Sequence, residues 1–525
     1  MSQLSTLRSV GYLKVTGILA TQTPIRVGSS KSDDDIDLPV LRDGQGRVLI
    51  PGSSVAGSVR SSCRNMGVEE TLVNRLFGEV DEGDKEPGGD NEPVGDTSWF
   101  TFSDLAIDHP VEFRNGVGID RRTGTAATHV LYSYEVLPRG VRLPFSLEVE
   151  LPSGAVPDLS RNEIEEVLKK ILVGMARGEM SIGGGQTRGL GRVRLEDFEV
   201  RQFLFDSPEN TLIALEKGQL LADYVAVKDG EYSGLKIDVS WDSIGNVMSA
   251  DGGEGLGVDT LPLVGLVDRD QVSVVLPGSG IKGVLRQRAE YIVRTLEGTS
   301  LSEPSESDDL DHLAQVSGSL LVNALFGEAS VSGEGTKRGR RGALSINDCY
   351  GSVRLSMKDW RQVLGANSIE MTAKTVDEIS DSNIVGSDLA GMKIFDPVQH
   401  VAIDRWTGGS AEGFLYSVLE VRNPQWEDLK IYLNQSQLNR GLNQQQQKAC
   451  LGLLLLLLRD LQKGRLRFGY GAMRGSGRMQ VSALSIAGQV AEDQFRGALR
   501  SLPDSSHVQP LLDALRLELV KEKAL

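Results

Sequence analysis

The sequence predicts an α+β protein in which one domain is built twice and followed by a helical tail. Two observations carry that expectation. Six motifs recur in the same order in the two halves of the 525-residue chain. Within each half the periodicity runs strand, long loop, helix, strands, helix, glycine-rich loop, strand. A repeat this long marks a duplicated domain rather than an array of short units. The first domain is expected over 1–204 and the second over 231–485, with a linker at 205–230 and the tail at 486–525.

Each element has a local reason. Leu13-Lys14-Val15 opens an alternating strand and recurs as Leu235-Lys236-Ile237. Ile36-Asp37-Leu38-Pro39 recurs as Val258-Asp259-Thr260-Leu261-Pro262, with one residue inserted before the proline. Pro51-Gly52-Ser53-Ser54 and Pro277-Gly278-Ser279 each lead into small and apolar residues, a turn into a helix start. Leu-Val-Asn-x-Leu-Phe-Gly-Glu ends at Glu79 and again at Glu328. Ile119-Asp120-Arg121-Arg122-Thr123-Gly124 recurs as Ile403-Asp404-Arg405-Trp406-Thr407-Gly408, each followed by Leu-Tyr-Ser. The loop Gly183 to Arg192 recurs as Gly469 to Arg478. A helix over Asn162 to Arg177 stops at Gly178, and a Leu-rich helix stops at Gly464, where a left-handed residue closes the last turn. This order fits a ferredoxin-type unit, present twice.

Composition limits the function classes. The three cysteines, Cys63, Cys349 and Cys450, lie far apart and form no C-x-x-C pair, so a disulfide framework or Cys-rich zinc site is not expected. The five histidines include no HExxH. The run Ala449 to Leu458 falls short of the ~20 residues a membrane helix needs. A cytoplasmic protein without a membrane partner is the expectation.

The net charge of −16 argues at first against a nucleic-acid partner. The acids are clustered, however: four in 33–37, six with one lysine in 81–93 and five in 303–311, leaving only −2 for the rest of the chain. The motif loops themselves are basic.

Glycines let a backbone approach a ligand closely, and regularly placed arginines supply charge. Arg188 and Arg192 in the first loop, with Arg474 and Arg478 in the second, make a phosphate chain the natural ligand. The glycines follow a helix and precede a strand, the reverse of a dinucleotide fold. The Pro-Gly-Ser helix starts offer a second anion site, where free N–H groups converge. Arg60 and Arg64, with Lys282 and Arg286, stand one or two turns further on. A plain N-cap accounts for the serines equally well.

In combination and order, these motifs resemble the RAMP superfamily, and in particular the backbone subunit that coats guide RNA in type III CRISPR effector complexes. Two fused copies resemble the double-backbone subunits of the type III-D branch. The resemblance implies modified ferredoxin-like (RRM-like) domains along a crRNA, whose phosphates would be gripped by Gly52, Ser53, Ser54, Gly278, Ser279 and the arginine loops. It implies thumb hairpins after the Ile-Asp-Arg motif, over Asp120 to Val136 and Asp404 to Val421, with Arg121, Thr123, Arg405, Trp406 and Thr407 at their roots. It also implies that Asp37 and Asp259 each support metal-dependent cleavage of a complementary target RNA, with Mg2+ or Mn2+ as cofactor and other effector subunits as partners.

Ala56 stands where the second copy has Lys282, which would remove one phosphate contact from the first copy. Asp37 has a plain reading too, since it ends an acidic run that solvent alone could satisfy. Asp120 and Asp404 read as turn-formers. Two rivals remain: a scaffold whose aspartates are inert, and a metal-free crRNA-processing endonuclease.

Overall fold

The computed structural model describes residues 8–29, 36–78, 97–153, 159–224, 234–253, 255–301, 315, 318–329, 339–382, 394–422, 425–488 and 509–524. Both halves fold as expected. In the first, strand Ser9–Thr21 lies between Arg142–Pro152 and Arg192–Leu204, antiparallel to both, and Phe100–Phe102 pairs with the outer edge of Arg142–Pro152. In chain order the four strands therefore lie fourth, first, third, second across the sheet, the arrangement of a ferredoxin-type βαββαβ unit.

Alternation buries one face. Leu13 and Val15 pair with Val149 and Leu147, and all four are fully buried. Helices Gly52–Asn65 and Arg161–Ala176 cover that face through Val55, Val59 and Cys63 and through Ile164, Leu168, Ile171 and Leu172. The second helix starts on a capping box between Ser160 and Glu163.

The second half repeats the plan. Leu235–Ile244 lies between Leu429–Leu433 and Arg478–Ala487, with Leu344–Ile346 outermost. Helices Gly278–Glu297 and Gln444–Gln462 are its covering pair, the latter capped by Asn443 and Gln446. Cys63, Cys349 and Cys450 are buried free thiols. Among the described residues, no helix is long and apolar enough to cross a membrane.

Each domain extrudes an antiparallel hairpin between its second and third sheet strands, Glu112–Ile119 with Ala126–Val136 and Phe395–Ile403 with Ser410–Val421. The Ile-Asp-Arg motif is the tip of each hairpin rather than its entrance. Asp120 Oδ1 accepts the N–H groups of Arg122 and Thr123, both at 2.8 Å, and Asp404 Oδ1 accepts those of Trp406 and Thr407. Gly124 and Gly408, with φ of 71° and 72°, complete the reversals. The hairpins thus begin eight or nine residues earlier than expected, because the strand before the motif pairs along its whole length.

Two boundaries also differ from expectation. The first part of 205–230 is no free linker: it forms helix Pro208–Glu216 and then strand Gln219–Leu220, which adds to the edge of the first sheet beside Arg201 and Gln202. The tail helix Gln509–Ala524 packs against the Leu-rich helix, burying Leu511, Leu515 and Leu519 in the second core. Gly452 permits that approach, since a Cβ there would lie 2.5 Å from the Leu511 carbonyl oxygen. The remaining linker residues 225–230, the tail start 489–508, the insertion 81–93 and most of 301–341 lie outside the described residues.

The two domains meet in a buried charged junction. Arg114 of the first hairpin is only 2% exposed and donates to Glu112 at 2.8 and 3.0 Å and to Asp348 Oδ2 at 2.5 Å, with the Tyr350 hydroxyl at 3.3 Å. Glu112 also accepts the Leu266 N–H at 2.7 Å. At the tip, Arg121 donates to Glu290 at 2.8 Å, and Gln315 donates to Asp120 at 2.7 Å. The first hairpin therefore lies across the second domain, while the second hairpin carries an exposed tip, with Trp406 96% exposed.

Candidate nucleic-acid interface and paired carboxylate sites

The strongest feature of the structure is a four-residue assembly built identically in both domains. In the first, Asp37 Oδ2 accepts the Ser133 N–H at 2.7 Å and its hydroxyl at 3.1 Å. The Leu38 N–H bonds the Ser133 carbonyl and the Glu135 N–H bonds the Leu38 carbonyl, so the aspartate loop runs parallel to the hairpin strand. The neighbouring Tyr132 hydroxyl receives Arg188 of the glycine loop at 3.1 Å.

In the second, Asp259 Oδ2 accepts the Ser417 N–H at 2.6 Å and its hydroxyl at 2.8 Å. Thr260 pairs with Ser417 and Leu419 as Leu38 does with Ser133 and Glu135, and Arg474 donates to the Tyr416 hydroxyl. The inserted residue thus falls after the docked pair and leaves the Asp259 geometry intact.

The serine N–H, then the serine hydroxyl, hold both carboxyls below the ordinary carboxylate range, so both are ionised at neutral pH. Oδ1 of each makes no hydrogen bond among the described residues. Leu-Tyr-Ser thus couples the carboxylate to the arginine loop. Its recurrence was visible in the sequence, but nothing in a hairpin serine or tyrosine announces which loop it will meet.

The donor set restricts what metal could bind. No group of three or more His, Cys, Asp or Glu side chains gathers among the described residues, so no resident cage is built there. Mg2+ commonly takes one or two carboxylates and completes its shell with water and substrate phosphates. A single ionised aspartate with one free oxygen fits that use.

The glycine loops repeat backbone conformation as well as sequence. Gly183, Gly185, Gly189 and Gly191 all have left-handed φ, as do Gly469, Gly471, Gly475 and Gly477. Each loop is folded around a 3-10 turn, Gln186–Arg188 or Ala472–Arg474, which leaves Arg188 and Arg474 exposed. Arg192 stacks over the Tyr432 ring at 3.6 Å, whereas Arg478 is exposed at the opening of the last strand.

An open groove of about 790 Å³ runs between the domains. Ser54, Ser58 and Ser61 of the first helix form one wall, with Gln186, Thr187 and Arg192 of the loop beside them. Arg340, Arg341 and Arg440 of the second domain form the other wall, and Glu179 is the one acid lining it. These three arginines were missed from sequence, although the basic stretch 337–341 was a usable signal for Arg340 and Arg341.

Several expected phosphate contacts are corrected. Gly52 and Gly278 are buried, and their N–H groups are held at 2.8 Å by Asp104 and Asp348. A Cβ would lie 2.0 Å from the Phe102 carbonyl oxygen or 2.2 Å from that of Ile346, so these glycines serve helix-to-strand packing. Arg60 donates to Asn74 and Arg64 pairs with Glu70, while Arg286 binds Glu290, the Gly327 carbonyl and Asn323. All three are engaged with neighbouring protein groups and none lines the groove.

Lys282 is also inside, donating to the Leu344 carbonyl at 3.1 Å. Burial, then Arg286, Arg188 and Arg341, push its ammonium down to about 7. Ser53 is exposed and Ser279 half-buried at their helix starts. At the hairpin tips, Thr123 bonds Asp120, Arg121 is consumed by Glu290, and Arg405, Trp406 and Thr407 are exposed.

A duplicated ferredoxin-type fold with a hairpin and a glycine-rich loop in each copy defines a class. Residues 18–194 and 252–480 match the RAMP superfamily, and the chain belongs to it. Among curated proteins it is similar to the CRISPR system Cms endoribonuclease Csm3 of Methanocaldococcus jannaschii, at 24% identity over 216 residues, which covers 36% of this chain and 81% of that protein. The coverage agrees with one such domain matching part of a chain that carries two.

Proposed function

We propose that the chain is a double backbone subunit of a type III, and specifically III-D, CRISPR effector, holding crRNA in the interdomain groove and cleaving bound target RNA once per domain. The observation that carries this reading is the twofold Asp–Ser–Tyr–Arg assembly, which sets an ionised carboxylate beside an arginine-bearing glycine loop in each copy. The similarity to a protein named as a CRISPR endoribonuclease supports it. Sequence would be chosen by guide–target pairing, with the protein reading backbone and shape.

In this reading Asp37 and Asp259 would hold Mg2+ or Mn2+ together with the scissile phosphate. The metal would supply Lewis-acid stabilisation of the phosphate charge. Ser133 and Ser417 orient the carboxylates. Arg188 and Arg474, tethered through Tyr132 and Tyr416, hold the neighbouring phosphate. A cytoplasmic location and further effector subunits as partners follow from the same reading.

In the assembled complex, Asp37→Ala and Asp259→Ala should each remove one set of target-cleavage products while guide and target binding persist. Unchanged product ladders from both variants would overturn the assignment and leave a scaffold.

A further inference from the structure

The two carboxylate sites share their backbone but not every side chain. The Gly184 N–H donates to the Arg26 carbonyl at 2.8 Å, and the Tyr470 N–H donates to the Met248 carbonyl at 2.7 Å. Arg26 therefore corresponds to Met248, and Gly184 to Tyr470. Met248 is a core residue, only 1% exposed. Arg26 is half-buried, and its guanidinium lies against two glycines. A Cβ on Gly28 would be 3.2 Å from Nη2, and one on Gly184 would be 3.3 Å from Nη1. Its Nε is buried without a hydrogen-bond partner, and among the described residues no carboxylate pairs with it.

Burial, then the nearby Arg188, lower the proton affinity of this guanidinium, yet an arginine stays charged at neutral pH. Arg188 meets only the Tyr132 hydroxyl among the described residues. Two like charges thus stand close together with no acid paired to either, which costs free energy until an anion enters. The second glycine loop is built differently. Arg474 lies over the Tyr470 ring at 4.9 Å and the Tyr416 ring at 5.5 Å. A tyrosine stands there where Gly184 leaves room for the Arg26 guanidinium.

We infer that Arg26 and Arg188 together clamp one phosphate of the target strand beside Asp37, a two-guanidinium grip that the second site lacks. A guanidinium matches phosphate oxygens in geometry as well as charge. The strand is the target rather than the guide, because neither arginine lines the interdomain groove, whereas Gln186, Thr187 and Arg192 of the same loop do. The inference rests on the reading of Asp37 as a cleavage site, and the test separates the two.

The assembled complex is given end-labelled target RNA, with second-site cleavage as the internal control. Arg26→Gln, with a melting temperature matching wild type, should slow first-site cleavage about tenfold and leave the second site and the guide content unchanged. Arg26→Lys, which keeps the charge, should recover part of the rate. Gly184→Tyr keeps Arg26 but gives the first loop the residue of the second, and should displace the guanidinium with the same loss. In parallel, the full chain is titrated with a short single-stranded RNA at several salt concentrations. Arg26→Gln should make the logarithmic salt dependence shallower by about 0.7, the share of one phosphate contact, and Arg26→Lys should restore it.

Equal slowing at both sites, unchanged first-site cleavage in Arg26→Gln or Gly184→Tyr, or loss of guide RNA would each overturn the clamp. If the wild-type complex cleaves at neither site, the proposed function fails instead. The salt titration then still decides, because a slope unchanged by Arg26→Gln overturns the clamp on its own.

Discussion

Ser417→Ala isolates the contribution of carboxylate positioning at one site. The substitution deletes the hydroxyl bond to Asp259 Oδ2 at 2.8 Å and the acceptor of the Asp259 N–H at 3.0 Å, but keeps the Ser417 N–H bond at 2.6 Å. A hydrogen bond to a charged group contributes about 1.5–3 kcal/mol when sheltered. Asp259 is exposed, and solvent screening reduces this to about 1 kcal/mol. If that energy holds the carboxylate in its productive position, cleavage at the second site should slow about fivefold.

The assay is a time course on end-labelled target RNA with the assembled complex, where the first site serves as internal control. Only the second-site products should be delayed, and Ser133→Ala should give the mirror result. The Asp259 carboxyl is held below its usual range, so the docking energy is present above about pH 4 and is lost as pH falls through the depressed value. A rate change shared equally by both products, or none at either, would refute the positioning argument.

Three further outcomes follow from the same geometry. Burial depresses the Lys282 ammonium to about 7, so above neutrality the unfolded chain binds more protons than the folded one, and stability should rise between about pH 7 and pH 10. Lys282→Met should flatten that dependence in denaturant unfolding. Replacing Arg114 by Ala strands Glu112 and Asp348 in the junction, and denaturant unfolding should show a loss of about 3–5 kcal/mol. Gly278→Ala forces a methyl group 2.2 Å from the Ile346 carbonyl oxygen and 2.9 Å from the Gly189 Cα, and should cost about 1–3 kcal/mol by the same measurement.

The duplicated fold was legible because period-two and period-3.6 patterns and glycine stops are local properties, and every one of them occurs twice. The two carboxylates were legible only through family resemblance, since Asp37 in an acidic run reads equally as a solvated loop. What sequence could not supply was partnership across long separations. Arg60, Arg64 and Arg286 look like phosphate ligands on a helix, yet Asn74, Glu70 and Glu290 engage them. Tyr132 and Ser133 look like ordinary hairpin residues, yet they join the aspartate to the arginine loop. The tail read as a helix, but nothing local showed that Gly452 leaves room for it in the second core. The glycine of each Pro-Gly-Ser motif was assigned to a ligand when it serves helix packing.

The central claim is that this chain holds a guide RNA, and the most direct test is to isolate it from its host and sequence the bound RNA. Short RNAs of discrete length that share a repeat-derived tag and protect the interdomain groove should be recovered. Recovery of no RNA, or of random cellular fragments in proportion to abundance, would contradict it.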